Sequence, residues 1–116
     1  MTRPSWHETW FAVAEVMARR ASCPRASVGA VIVDRRKHLV SVGYNGAPAG
    51  EPHCIDDGCI IEDNHCQRAL HAEVNAIVNA TKSLRGTTIF ITHPPCRECS
   101  KVISAAGINH IVYRDL

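Results

Sequence analysis

Two stretches far apart in the chain hold residues able to bind a metal: "HAEVNAIVNA" (71–80) and "HPPCRECSKV" (93–102). Cys96 and Cys99 form a C-x-x-C directly behind Pro95, at the start of a predicted helix. Residues three apart share a helix face, and the unpaired N–H groups and positive dipole end there favour thiolates. Alone, C-x-x-C is either half of a structural zinc site or a redox dithiol. The histidine-rich surroundings favour metal, and His71, which opens another predicted helix, is the natural third ligand. Three protein ligands leave a fourth position for water, the mark of a catalytic rather than a closed structural zinc. Such an ion lowers the pKa of its water from about 16 to about 7 and so supplies hydroxide at neutral pH. Glu73 can face that position from the first turn of its helix, where a proton shuttle belongs.

Taken singly, each residue has a plainer explanation. A lone histidine on an amphipathic helix is more often a surface or packed residue, and a lone glutamate in a first turn is usually only a favourable partner for the dipole. The joint pattern, His71-x-Glu73 followed later by Pro95-Cys96-x-x-Cys99, with each half at a predicted helix start, is far rarer than any of its parts.

The elements that must position these residues are legible from periodicity. Ser5 and Glu8 have capping-box spacing, and Trp6, Trp10, Val13, Ala14 and Met17 recur at helical intervals, which predicts a helix over about 5–20 ending at Arg19 and Arg20. "SVGAVIVD" (27–34) and "HLVSVGYN" (38–45), separated by "RRK", predict a hairpin of two largely buried strands. Residues 46–64 are rich in Gly, Pro, Asp and Cys without periodicity, and a loop that long is usually functional or held by a ligand. A helix over 67–83, followed by Gly86, presents Leu70, Val74, Ile77 and Val78 on one side. A strand over 86–93, a helix over 96–107 ended by Gly107 and a last strand over 108–115 complete the order. Strands alternating with helices in the second half require right-handed parallel crossovers beside the antiparallel hairpin, hence a mixed sheet with helices packed on it.

At 116 residues the chain suits one domain, residues 1–116, and its 46% hydrophobic and 21% charged residues are ordinary globular usage. No stretch has the length of a signal-peptide core or a membrane span, so the expected location is the cytoplasm, or the host cytoplasm if the source is viral. Thirteen basic against eleven acidic residues give +2 and no long basic run, unlike a dedicated nucleic-acid binder. Cys23, Cys54, Cys59, Cys66, Cys96 and Cys99 are many for this length. Without a signal peptide they read as reduced thiols kept for metal or catalysis rather than disulfides.

On these residues the chain resembles the cytidine deaminase-like superfamily, whose zinc signature is H-x-E…P-C-x-x-C. Within it the similarity is to the deoxycytidylate (dCMP) deaminases, carried by "SCPRASVGAVIV" and "GYNGAP" as well as the zinc motifs. The resemblance implies a three-layer α/β/α fold with a mixed four- to five-stranded sheet. It implies hydrolysis of dCMP to dUMP and ammonia, with Glu73 protonating N3 and then the departing amine. It also implies that Arg25 and Asn45 line the sugar and phosphate end, and that Tyr113 and the Ala72 backbone lie by the base. Arg25 could clamp a phosphate bidentately and Asn45 could bond a hydroxyl or phosphate oxygen. The plainer alternatives are a solvated arginine and a turn residue in Asn-Gly.

Some dCMP deaminases carry a second, structural zinc. Cys23, Cys54, Cys59, His65 and Cys66, with His53 nearby, offer several ligand combinations for one here; packed thiols are the alternative. The expected partners are a small-molecule nucleotide and further copies of the chain, a hexamer or a dimer, with neither membrane nor nucleic acid. The sequence ends at Leu116, where relatives usually continue into another helix and often a fifth strand, so neighbouring subunits are expected to help close the pocket. Two other readings compete. One is a zinc deaminase of another base (tRNA adenosine, cytidine or guanine, or a cytosine in nucleic acid); the other is a noncatalytic zinc-binding or competence-type assembly protein. An intact Glu73 speaks against the second, because a purely structural site has no use for a carboxylate beside an open metal position.

Overall fold

The computed structural model describes residues 2–22, 26–47, 50–62, 65–66 and 70–114. The first helix, α1 (Trp6–Ala18), starts as its capping box dictates: the Glu8 N–H donates to Ser5 Oγ at 3.1 Å and the Ser5 N–H to Glu8 Oε1 at 3.2 Å. Two strands follow, β1 (Gly29–Val33) and β2 (Leu39–Tyr44), paired antiparallel. Their turn is closed by Asp34, whose Oδ1 accepts the N–H groups of Arg36 and His38. These bonds, that from His38 foremost, hold its carboxyl below the usual carboxylate range.

The region expected to be an irregular loop, 46–64, contains a one-turn helix, α2 (Cys54–Asp57), and a strand, β3 (Ile61–Glu62), which pairs antiparallel with β4 (His65–Cys66) just beyond it. These elements are too short to leave a hydrophobic period, which is why the sequence concealed them. After them come α3 (Ala72–Val78), β5 (Thr88–Ile91), α4 (Arg97–Ala105) and β6 (His110–Tyr113).

The helix expected over 67–83 is therefore shorter at both ends. Leu70 continues the apolar period but spends its backbone on an antiparallel bridge to Gly46, so the helix begins after it. At the other end the chain tightens through Asn79, and Val78 is exposed rather than part of the apolar face. Gly86 lies eight residues beyond the helix and, at φ +77, turns the chain into β5 instead of capping α3. Gly107, at φ +86, ends α4 as expected: its N–H bonds the Ser104 carbonyl and the next N–H bonds that of Ile103.

The sheet order is β2-β1-β5-β6, with β1 antiparallel to both β2 and β5, and β5 parallel to β6 through α4. This is the mixed sheet expected, with four strands among the described residues. Strand alternation sorts its side chains onto two faces. Val31, Val33 and Phe90 pack under α1 with Trp10, Phe11 and Ala14. Ala30, Ile32, Ile89 and Ile91 pack under α3 and α4 with Ala72, Ala76 and Ile103. The result is three layers, α1 on one face and α3 with α4 on the other. Burial of a side chain such as Ile32 or Ile103 contributes about 1.5–3 kcal/mol. Among the described residues no helix is long and apolar enough to cross a membrane.

Two glycines let the helices approach the sheet. A Cβ on Gly29 would lie 1.8 Å from the Ala14 carbonyl oxygen on α1, and one on Gly43 would lie 2.4 Å from the Ala72 oxygen and 2.6 Å from the Ala76 nitrogen on α3. Backbone meets backbone at both places, so neither side can yield cheaply. Gly43→Ala is expected to lower stability by about 1–3 kcal/mol through overpacking. The check is a lower urea midpoint with unchanged slope; an unchanged midpoint would show that α3 does not rest on this glycine.

Candidate functional site

The site forms where α3 and α4 begin. Both start beyond extended backbone: His71 is the N-cap of α3 at ψ 154 and Cys96 that of α4 at ψ 169. Cys96 caps with its own sulfur, which accepts the Cys99 N–H at 3.4 Å and so sets the two thiols on one side of the first turn. His71 makes no such cap, because its imidazole is turned to the thiols: Nδ1 stands 3.1 Å from Cys99 Sγ and 3.7 Å from Cys96 Sγ. The three donor atoms lie within 4.8 Å of one another. A tetrahedral ion with Zn–S near 2.3 Å and Zn–N near 2.0–2.1 Å sets its donors about 3.5–3.8 Å apart, so one imidazole and two thiols at these separations fit zinc.

Burial sharpens the chemistry. Cys99 is 2% exposed and Glu73, in the first turn of α3, is 4% exposed, whereas Cys96 and His71 open to solvent. Burial pushes the Cys99 thiol well above its ordinary range, and the negative charge of Glu73 and the neighbouring Cys96 push it further. A thiol kept protonated by a neighbouring carboxylate and a second thiol is a donor set that a cation would turn into thiolate ligands. Neither Cys96 nor Cys99 is in a disulfide.

The other expected site residues divide. Ala72, fully buried between His71 and Glu73, is at the site by construction. Tyr113 ends β6 opposite Ile91, the last residue of β5, and is about half exposed at the carboxyl edge from which α4 sets out. Asn45 is 7% exposed, and its amide is applied to the chain itself: Oδ1 accepts the Val28 N–H at 2.8 Å and Nδ2 donates to the Ala26 carbonyl at 2.7 Å. Arg25 and Cys23 lie outside the described residues, as do the side chains of His65 and Cys66. Cys54 is buried and Cys59 half-buried, in the segment that Ser22 ties down through the His53 ring and the Ile55 N–H.

Sequence reasoning overlooked Asn75. Its amide reaches the carbonyls of Tyr44 and Gly46, and its one local signal was a poor helix former in the middle of a short helix.

A three-layer α/β/α domain that brings one imidazole, two thiols and a buried carboxylate to neighbouring helix starts has the architecture and donor set of the zinc-dependent deaminases. The chain belongs to the cytidine and deoxycytidylate deaminase zinc-binding family, which it matches over residues 4–115. It is 45% identical over 118 residues to ComE operon protein 2 of Bacillus subtilis (strain 168), covering 99% of this chain but only 62% of that protein. It is 38% identical over 126 residues to the deoxycytidylate deaminase of Mycobacterium phage D29, covering 97% of each. The crystal structure of the dCMP deaminase of cyanophage S-TIM5 in complex with dCMP and dUMP matches with a TM-score of 0.82 at 34% identity, covering 99% of this chain and 85% of that one.

The difference between the two thiols is measurable. In metal-free protein near pH 8, an alkylating reagent should label exposed Cys96 well before Cys99, because only the thiolate reacts and the raised pKa keeps Cys99 protonated. Glu73→Gln removes a charge that opposes ionisation and should hasten labelling of Cys99. Mass spectrometry of the labelled peptides reads both, and equal rates at the two cysteines would contradict the burial described.

Proposed function

We propose that the chain, as a single deaminase domain, converts dCMP and water to dUMP and ammonia, with His71, Cys96 and Cys99 holding zinc and Glu73 moving the protons. The observation that carries the reading is the burial of Glu73 beside the three donors, which a closed structural site would not require. Likeness to the cyanophage enzyme in complex with dCMP and dUMP supports the choice of nucleotide.

Zinc held there would supply hydroxide at neutral pH. The chain's own part is proton traffic and positioning. Glu73 accepts a proton from the nucleophilic water and delivers it to N3 of the cytosine as C4 is attacked, then takes the proton of the new C4 hydroxyl and passes it to the amine as the C4–N bond breaks. Its burial keeps the carboxylate away from bulk water and aimed at the reacting edge. Ala72 brings backbone to the base, Tyr113 flanks it from the sheet edge, and Arg25 and Asn45 belong to the phosphate and sugar end. The nucleophilic water and the departing ammonia balance the reaction without any other reactant.

The second zinc is a separate proposal. Ser22 hydrogen-bonds His53, and the Ile55 N–H bonds the Ser22 carbonyl, so Cys54 lies in a segment tied to the residue just before Cys23. Cys59, His65 and Cys66 are the other candidates for that ion. The assembly we propose is a homo-oligomer in the cytoplasm, a hexamer or a dimer, for which the exposed Ile111 and Tyr113 on the edge strand β6 offer apolar surface.

An ammonia-release assay over dCMP, dCTP, deoxycytidine and a tRNA hairpin bearing the adenosine target should favour dCMP and lose its signal on chelation. Zinc-loaded protein that leaves dCMP unchanged would refute the reading, and preference for another base would move it to the competing one. Glu73→Ala should lower kcat by about 10²–10⁴-fold with the zinc content unaltered; a variant that keeps its rate would remove Glu73 from the mechanism. Metal analysis should give two zinc ions per chain, and a value of one would dispose of the second site.

A further inference from the structure

Asn75 has no part in the metal site or the proton path above, yet its side-chain nitrogen is engaged twice. Its Nδ2 donates to the carbonyls of Tyr44, at 2.8 Å, and Gly46, at 3.2 Å, which uses both of its N–H groups. Those carbonyls flank Asn45. Gly46 is also joined to Leu70 in both directions, its N–H donating to the Leu70 carbonyl at 3.1 Å and its carbonyl accepting the Leu70 N–H at 2.8 Å. The 44–46 segment therefore grips the chain twice, immediately before His71 and two residues after Glu73. His71, Ala72 and Glu73 are slung between the two grips.

The helix needs such support. With seven residues α3 is too short to be stable by its own propensity, and its N-cap gives no side-chain cap because the imidazole faces the thiols. Ser41 Oγ donates to the Ala76 carbonyl at 2.6 Å and pins the second turn to β2, and Asn75 pins the same turn to the 44–46 segment from its own position. That segment reaches further, because the Asn45 amide holds Ala26 and Val28, just beyond Arg25.

We propose that Asn75 is a positioning residue: its two hydrogen bonds set where the Glu73 carboxylate stands relative to the His71, Cys96 and Cys99 donors and to the substrate end of the pocket. The inference rests on the deaminase reading for what the position serves, while the grip itself is a property of the chain. A carboxylate displaced by about 1 Å from its proton-transfer geometry costs up to about 100-fold in rate without a need for lost binding.

The test compares wild-type protein with Asn75→Asp, which keeps the shape but loses the donors, and Asn75→Leu, which replaces the amide with an apolar group of similar size. In both variants kcat on dCMP should fall by about 10- to 100-fold, with KM and zinc content close to wild type. Amide hydrogen exchange in the zinc-loaded variants should quicken at residues 70–75 and stay unchanged in β1 and β5. In zinc-loaded wild-type protein, NMR should find the Asn75 side-chain amide protons protected from solvent exchange. An unchanged kcat would overturn the proposal. So would a loss of rate matched by loss of zinc or by general opening of the fold, and so would rapid exchange of the wild-type Asn75 amide. If wild-type protein left dCMP unchanged, the deaminase reading would fall, while the two exchange measurements would still decide whether Asn75 holds the helix start.

Discussion

Groups of one electrical sign are gathered in one place, and the rest of the structure is arranged around that fact. Cys99 and Glu73 are both almost fully buried, and burial together with the Glu73 carboxylate opposes ionisation of the Cys99 thiol. Burying a carboxylate and a thiolate side by side is unfavourable by several kcal/mol unless a cation compensates them. This donor set therefore cannot be what draws α3 and α4 together. Packing elsewhere has to hold the two helix starts at metal-binding distance, and the ion then turns the repulsion into coordination.

That packing depends on small residues. Ala14, Ala30, Ala72 and Ala76 are all fully buried, and Gly29 and Gly43 lie where the sheet meets α1 and α3 backbone to backbone. On α3 the consequence is direct. Ala72 is pressed toward Gly43, and on either side of it in the chain stand His71, turned to the thiols, and Glu73, buried beside Cys99. A larger residue at 43 or 72 would raise the helix off the sheet and carry both functional groups away from α4. Rigid packing of β1 between two layers gives the contact something firm to rest on, since all five of its residues are buried.

Features governed by local chemistry were the legible ones. The capping box at Ser5, the β-branched runs of β1 and β5, Gly107 at the end of α4 and the C-x-x-C donors all declare themselves within a few residues. The family resemblance added the three-layer arrangement. What escaped depended on partners distant in the chain. Leu70 fits a helical period, but its backbone is claimed by Gly46, so α3 begins later than its pattern suggests. Val78 fits the same period, but the chain turns away at Asn79 and leaves it exposed. Asn75 and Asn45 bond backbone groups 29 to 31 and 17 to 19 positions away, and no window of sequence carries a trace of that.

The double engagement of Asn45 also changes how its resemblance-based role is understood. An amide offers two N–H donors and two acceptor lone pairs, and among the described residues one of each is used, on Ala26 and Val28. On the proposed function, the second donor and lone pair would serve a sugar hydroxyl or a phosphate oxygen, so holding the 26–28 segment and touching substrate are compatible tasks for one side chain. They are also coupled tasks. A ligand that bonds Asn45 bears on a segment whose flanking carbonyls hold Asn75, and through Asn75 on the helix that carries Glu73. On the proposed function, the 44–46 segment joins the nucleotide end of the site to the end that moves protons, by hydrogen bonds within a few residues of both.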